Sequence, residues 1–244
     1  MEKLMYLLWT DGDRADTARL ALDDLAPDLL ALDPPQLSMD VADPEGEFAT
    51  PLPPDPADPP PTAAVSLWLH TLDHRGPFEA RLAATGGRLA GYLVTESIPT
   101  EYGQSRWSGP RDWPDGQRSP GPLLLTLMER PERLTDEAWL AHWYGVQTPM
   151  STAIQPRIRY VRNAVVRPLT AEAPPYRGIV EEVWPSREDI EDPMRFYLAD
   201  GDDDLLARNM TTMVESVTAF LDMDRIRLAA MSEHLLKTWW PTDR

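Results

Sequence analysis

Two adjacent glutamates, Glu181 and Glu182, interrupt an otherwise apolar stretch of Ile179, Val180, Val183 and Trp184. Neighbouring strand residues face opposite ways, so at least one of these carboxylates enters an apolar layer. Desolvation there would raise its pKa and suit it to general acid or base work. The competing reading is a structural ion pair with an arginine such as Arg162 or Arg177. Upstream, Trp139, Trp143 and Gln147 are spaced i, i+4, i+8 and share one face of a helix. That face reads as a pocket wall with one polar anchor, or as a core helix whose terminal Gln bonds to backbone. Between them runs RIRYVRN, in which Tyr160 and Arg162 alternate with Arg159 and Val161. Tyr160 and Arg162 pointing into a partly polar cavity would suit an anionic or phenolate-like ligand. The alternative is a set of surface arginines paired with an acidic chain.

These groups converge on one predicted site in the second half of the chain. It lies between a helix over residues 135–147 and its sheet, and is lined by Trp143, Gln147, Tyr160 and Glu181 or Glu182. The first half lacks a comparable set, with only His70, Glu96 and Tyr102 as contributors. His70 and His234 each stand alone on a strand and read as satisfied structural residues. The four histidines show no metal-ligand spacing. The run GDDDLL at Gly201 lacks the alternating acids and closing Glu of a calcium loop. There is no GxSxG, P-loop or dinucleotide fingerprint. The expectation is a site without metal or other cofactor.

The elements that must position these groups follow from periodicity. Strands are predicted over 4–9, 36–42, 64–71 and 92–98, with helices over 14–32 and 78–90. Pro27 is a kink or break in the first helix. The order β-α-β-β-α-β is a ferredoxin-like arrangement. Residues 99–121 are turn-rich and connect the halves. The order then repeats from 122 to 244, with strands over 123–128, 158–166 and 179–184 and a final strand ending at 236. Helical pieces cover 186–197 and 205–217. Residues 51–61, PLPPDPADPPP, are an exposed extended loop. Each four-stranded sheet keeps one open apolar face, and the two bury these faces against each other. The fold class is therefore α+β, a tandem ferredoxin-like chain forming a single-chain α/β barrel.

With a formal charge of -17 over 244 residues, the surface repels phosphate backbones and anionic lipids, which argues against nucleic acid and membrane partners. The chain has no cysteine, so thiolate chemistry and disulfides are excluded. The start, MEKLMYLLWTDGD, has no signal-peptide pattern, and a cytoplasmic protein is expected. Lysine occurs only at Lys3 and Lys237 while arginine is common, a bias of GC-rich bacterial coding.

The second half resembles the EthD family of the dimeric α/β-barrel superfamily. LTDEAWLAHWYGVQTP is similar to that family's helix, RIRYVRN to its Tyr-containing strand, GIVEEVW to its third strand and FLDMDRIRLAAMSEHLL to its last strand. The first half fits a degenerate partner copy. The resemblance implies a cofactor-independent lyase, cyclase or dehydratase acting on a small aromatic or polyketide-like molecule. A non-catalytic binding or accessory protein and a cofactor-independent monooxygenase are the alternatives. Some superfamily relatives bind haem, but no axial ligand stands out. Where the family pattern places a His, this chain has Gln147, which hydrogen-bonds but transfers no proton near neutral pH. His142, five residues earlier on an adjoining face, is an imperfect replacement. Closing the barrel within one chain removes the usual reason to dimerise, although a homodimer remains compatible.

Overall fold

The computed structural model describes residues 1–239. Its strands are β1 (Glu2–Trp9), β2 (Gln36–Val41), β3 (Ala63–Leu69), β4 (Arg88–Thr100), β5 (Leu123–Glu129), β6 (Arg159–Pro168), β7 (Tyr176–Val183) and β8 (Ile226–Lys237). The main helices are α1 (residues 14–30), α2 (Gly76–Ala83), α3 (residues 136–154) and α4 (Asp203–Phe220). Two short helices, Glu188–Glu191 and Pro193–Phe196, precede α4. The order β-α-β-β-α-β therefore runs twice. No described helix is long and apolar enough to cross a membrane.

All eight strands join one closed antiparallel ring in the order β1-β3-β2-β8-β5-β7-β6-β4. This differs from two separate sheets laid face to face. Each half keeps its own four-stranded set, but the edges meet at two seams, β2 with β8 and β4 with β6. Closure leaves no free edge strand, which would otherwise present unpaired backbone groups.

Alternation decides what each strand sends inward. Outward residues of the first half, such as Leu4, Tyr6, Val65 and Leu67, pack under α1 and α2. Outward residues of the second half, such as Met128, Tyr160 and Val180, pack under α3 and α4 with Trp139, Trp143 and Phe220. Inward residues from both halves, among them Met5, Tyr92, Leu125, Ile179 and Met231, form one core. The expected purely apolar interior is corrected here. The inward positions of the same strands also carry Lys3, Asp40, Glu181 and Glu233, all buried.

The three long helices start from side-chain caps, α4 with the Asp202 carboxylate accepting from the Leu205 N–H. The Asp13 carboxylate accepts from the backbone N–H groups of Ala15 and Asp16, and the Thr135 hydroxyl from that of Ala138. Helix α3 runs past its predicted end at 147 to Ile154, although Pro149 lies within it. A π-helical turn over Trp143–Gln147 loosens the ladder before the proline, so the missing N–H interrupts less. Helix α1 does the same, with a π-helical turn over Arg19–Leu25 ahead of Pro27. Helix α2 ends at Ala83 because β4 starts at Arg88, earlier than expected.

The connection between halves is pinned along the inner end of β8. Gly116 and Ser119 donate backbone hydrogen bonds to the carbonyls of Leu235 and Glu233, each at 2.8 Å. Tyr102 and Trp113 meet edge to face at 4.8 Å and join the barrel core. The proline-rich stretch 51–61 is largely exposed, as expected. It crosses to the second half, where Asp58 pairs with Arg227 at 2.8 Å.

Candidate functional site

A cavity of about 300 Å³ lies between the outer face of β5–β7 and helices α3 and α4. Trp143, Gln147 and Ser151, at i, i+4 and i+8 on α3, form one wall together with Gln155 just past the helix end. The opposite wall is apolar and comes from α4, with Met213, Val214, Val217 and Phe220. Met128 and Val180 form part of the sheet side, and Leu52 reaches over from the proline-rich strap. Gly178 on β7 makes room for the tryptophans. A Cβ at that position would lie 2.6 Å from the Met128 methyl, 2.9 Å from the Trp143 ring and 3.0 Å from the Trp139 ring.

The polar end of the cavity is built around Arg157. Its guanidinium donates to Glu182, to Ser151 Oγ at 2.8 Å and to Thr152 Oγ1 at 3.1 Å. It also lies over the Tyr160 ring at 4.1 Å. Glu182 and Tyr160 are paired across β7 and β6, so they share the outer face. The Tyr160 hydroxyl contacts Trp143 Nε1 and Thr148 Oγ1, each at 3.3 Å. Burial raises the Tyr160 phenol above its ordinary range, with Arg157 opposing and Glu182 adding to the rise. Tyr160 is thus a neutral hydrogen-bonding group at neutral pH. Among the described residues, Gln147 donates only to Met213 Sδ, at 3.4 Å, and its buried Oε1 has no partner.

The predicted residues therefore divide. Trp143, Gln147, Tyr160 and Glu182 all line this cavity. Glu181 does not, because alternation turns it into the barrel. There it accepts from Lys3 Nζ at 3.4 Å and Asn163 Nδ2 at 3.1 Å. Its pKa is lowered, the reverse of the expectation: burial pushes it up, but Lys3, Arg159 and the Asn163 hydrogen bond outweigh burial. Its partner is a lysine, whereas the expected candidates were Arg162 and Arg177. Arg162 faces outward but away from the cavity, donating to Ser97 and Thr148 and stacking on Tyr144. His142 also lies outside the cavity wall, its ring stacked on Phe220 and its Nε2 3.2 Å from Ser216 Oγ. His70 is exposed.

Arg157, the first residue of RIRYVRN, is the site residue that sequence reasoning misses. Strand alternation groups it with Arg159, yet β6 begins only at Arg159. Arg157 follows Pro156 in the turn leaving α3, so its side chain escapes the strand period and returns under the helix. A proline followed by arginine at a helix-to-strand junction was the available signal.

A second cluster of charged groups occupies the barrel interior. Lys3 bonds Glu96 at 2.7 Å and Arg159 bonds Glu233 at 2.6 Å. Glu233 also accepts from Tyr102 and Ser119, each at 2.6 Å. Asp40 stands directly across the β2–β8 seam from Glu233. Burial, then the charges of Glu181 and Glu233, push its carboxyl well above the usual range. Two first-half candidates, Glu96 and Tyr102, belong to this network and not to the cavity. Among the described residues, no group of three or more His, Asp or Glu is arranged to hold a metal ion.

No family model matches the chain, and no curated protein matches it. Solved structures do. A protein described as anthrone oxidase-like superposes on 100% of this chain and 94% of its own, with a TM-score of 0.59 at 12% identity. A protein from Fusobacterium nucleatum assigned as a monooxygenase covers 97% of this chain and 92% of its own, with a TM-score of 0.48 at 11% identity. At such identities the likeness concerns fold alone. With its complete ring of eight antiparallel strands flanked by helices, the chain has the dimeric α/β-barrel fold, closed within one polypeptide.

Proposed function

We propose that this chain is a cofactor-independent enzyme that binds a small aromatic or polyketide-like molecule in the α3–α4 cavity and acts on it by proton transfer at Glu182. The observation that carries the proposal is the Arg157–Glu182 pair, the charged end of a cavity whose α4 wall is apolar and whose α3 wall joins Trp143 to a few uncharged polar groups. Enclosed apolar cavities with a few convergent polar groups are the usual form of small-molecule sites. In this reading the Glu182 carboxylate takes a proton from a phenol or from carbon beside a carbonyl. The Arg157 guanidinium faces the oxygen on which negative charge then develops. Tyr160 and Gln147 orient the ligand, and the partnerless Gln147 Oε1 accepts from a ligand hydroxyl. Aldol-type cyclisations and α,β-dehydrations begin with such a step.

A second reading, cofactor-independent oxygenation, is supported by the name of the anthrone oxidase-like neighbour. Anthrone is a fused-ring ketone whose deprotonated form is electron-rich, and removing its proton needs the same base. A third reading is a non-catalytic binding protein. It is supported by Gln147, which stands where the resembled family has a His.

Phenolic compounds of one to three fused rings test these readings, first as ligands by tryptophan fluorescence and then as substrates under air and under nitrogen. Turnover in both atmospheres supports the lyase or cyclase reading, and turnover only in air supports oxygenation. Binding without turnover by any member supports the binder. Absence of binding overturns the assignment of the cavity.

A further inference from the structure

The hydroxyl groups around the charged end of the α3–α4 cavity have their protons committed elsewhere. Thr148 Oγ1 donates to the Trp143 carbonyl at 2.9 Å and accepts from the Arg162 guanidinium at 3.1 Å. With its one proton spent, it can only accept from the Tyr160 hydroxyl, 3.3 Å away. The Tyr160 oxygen in turn accepts from Trp143 Nε1. Ser151 and Thr152 donate to the Thr148 carbonyl, at 3.2 and 2.8 Å, and accept from Arg157. None of these hydroxyls has a proton left for a ligand.

Two acceptor atoms remain open. Among the described residues, Glu182 is bonded through Oε1 alone, to Arg157, so its Oε2 has no partner. Gln147 supplies the other. The Met213 sulfur only accepts, so it takes the amide N–H and leaves the buried Oε1 as the unpartnered end. Gln147 stands one helical turn before Ser151, a spacing of about 5–6 Å between Cβ atoms. Ser151 bonds the guanidinium that holds Glu182, so the two acceptors belong to separate parts of the wall. Thr126, Gln155 and Tyr197 also line the cavity, but their side chains both donate and accept and impose no polarity. Arg157 and Glu182 are the only charged groups among the described lining residues, and their charges cancel.

We infer that the ligand is an uncharged aromatic diol whose hydroxyls stand on non-adjacent ring carbons. One hydroxyl meets the Arg157–Glu182 pair, which serves both its oxygen and its proton. The other donates to Gln147 Oε1. This inference rests on the reading of the cavity given above and adds the number, polarity and spacing of the ligand's polar groups. An aromatic carboxylate is disfavoured, because it brings a charge that the cavity does not balance.

Calorimetric titration of the full chain with hydroxynaphthalenes tests the inference. At least one of 1,6-, 2,6- and 2,7-dihydroxynaphthalene is expected to bind about tenfold tighter than 2-naphthol, the worth of satisfying one buried acceptor. The adjacent 2,3-diol should match 2-naphthol. A monomethyl ether of the preferred diol should lose the gain, since an ether oxygen has no proton to donate. In Gln147→Leu the ratio of diol to 2-naphthol affinity should fall to about one. The ether comparison needs no variant and decides the matter if Gln147→Leu fails to fold. The anion 6-hydroxy-2-naphthoate should bind more weakly than 2-naphthol. Diols no tighter than 2-naphthol overturn the inference and leave the cavity standing. So do ethers as tight as their diol, an adjacent diol as tight as the separated ones, a tighter carboxylate, or a diol preference that survives Gln147→Leu. Binding of no member of the set overturns the reading of the cavity itself.

Discussion

Glu181 and Glu182 are adjacent in sequence and stand on opposite faces of the barrel wall. Glu181 points inward to Lys3 and Asn163, and Glu182 points outward to Arg157 and the cavity. One peptide bond thus separates a structural carboxylate from a candidate catalytic one, because strand pleat alternates side chains between faces.

Matched variants separate the two roles. Glu182→Gln is expected to lower turnover by roughly 10²–10⁴-fold, the usual worth of a proton-transfer group, with little change in Tm. Glu181→Gln leaves Lys3 with Glu96 alone and should cost about 1–3 kcal/mol of stability. Ligand affinity should be preserved. Urea melts and ligand titrations read both outcomes, and a Glu181 variant of native stability that fails to bind ligand would reverse the assignment.

Arg157 holds Glu182, Ser151 and Thr152 with one planar fork while lying on Tyr160. A lysine is a point donor and cannot reproduce that geometry. Arg157→Lys is expected to cost roughly 1.5–3 kcal/mol of stability, typical for hydrogen bonds to charged groups. It should also weaken ligand binding. Equal stability of the two proteins in urea would show that the fork is not needed.

Asp40 predicts a pH dependence. Its folded pKa is raised above the ordinary 3.8 by burial and by Glu181 and Glu233. A raised pKa means stability that is full below the unfolded value and is lost as pH climbs toward the folded value. Asp40→Asn removes this loss. The variant should match the native chain near pH 3.5 and exceed it in Tm by a margin that widens from about pH 4 upward. Melts across that range check the sign, and a margin that narrows with rising pH would contradict it.

Gly178 has no space for a side chain beside Trp139, Trp143 and Met128. Gly178→Val should overpack this wall and cost about 1–3 kcal/mol, with a red shift of tryptophan emission as the rings lose burial. Unchanged emission and stability would show that the wall can yield.

The strand and helix order was legible because each element carries its own period. Continuous apolar runs mark β1 and β5, alternation marks β2, Thr135 with its acidic first turn marks the start of α3, and Trp139 and Trp143 mark its buried face. These signals are local and need no knowledge of the partner. The proline run at 51–61 was equally legible as an exposed loop, since proline lacks the donor that a ladder needs.

What lay beyond the sequence depends on long-range register and closure. Alternation alone says that Glu181 and Glu182 part ways; only the joined seams say which one enters the barrel. Lys3 and Glu181 are 178 positions apart, and Asp40 meets Glu233 across a seam between the two halves. Nothing local in either segment announces such pairings. His142 and Arg162 looked eligible by spacing, but Phe220, Ser216 and Tyr144 occupy their faces. Arg157 reaches the cavity because a turn, not a strand, sets its direction. The sequence by itself therefore determined the elements and their apolar faces. The tertiary structure decided which polar groups share a space, because that depends on how the ring closes and where α4 and the strap lie across it.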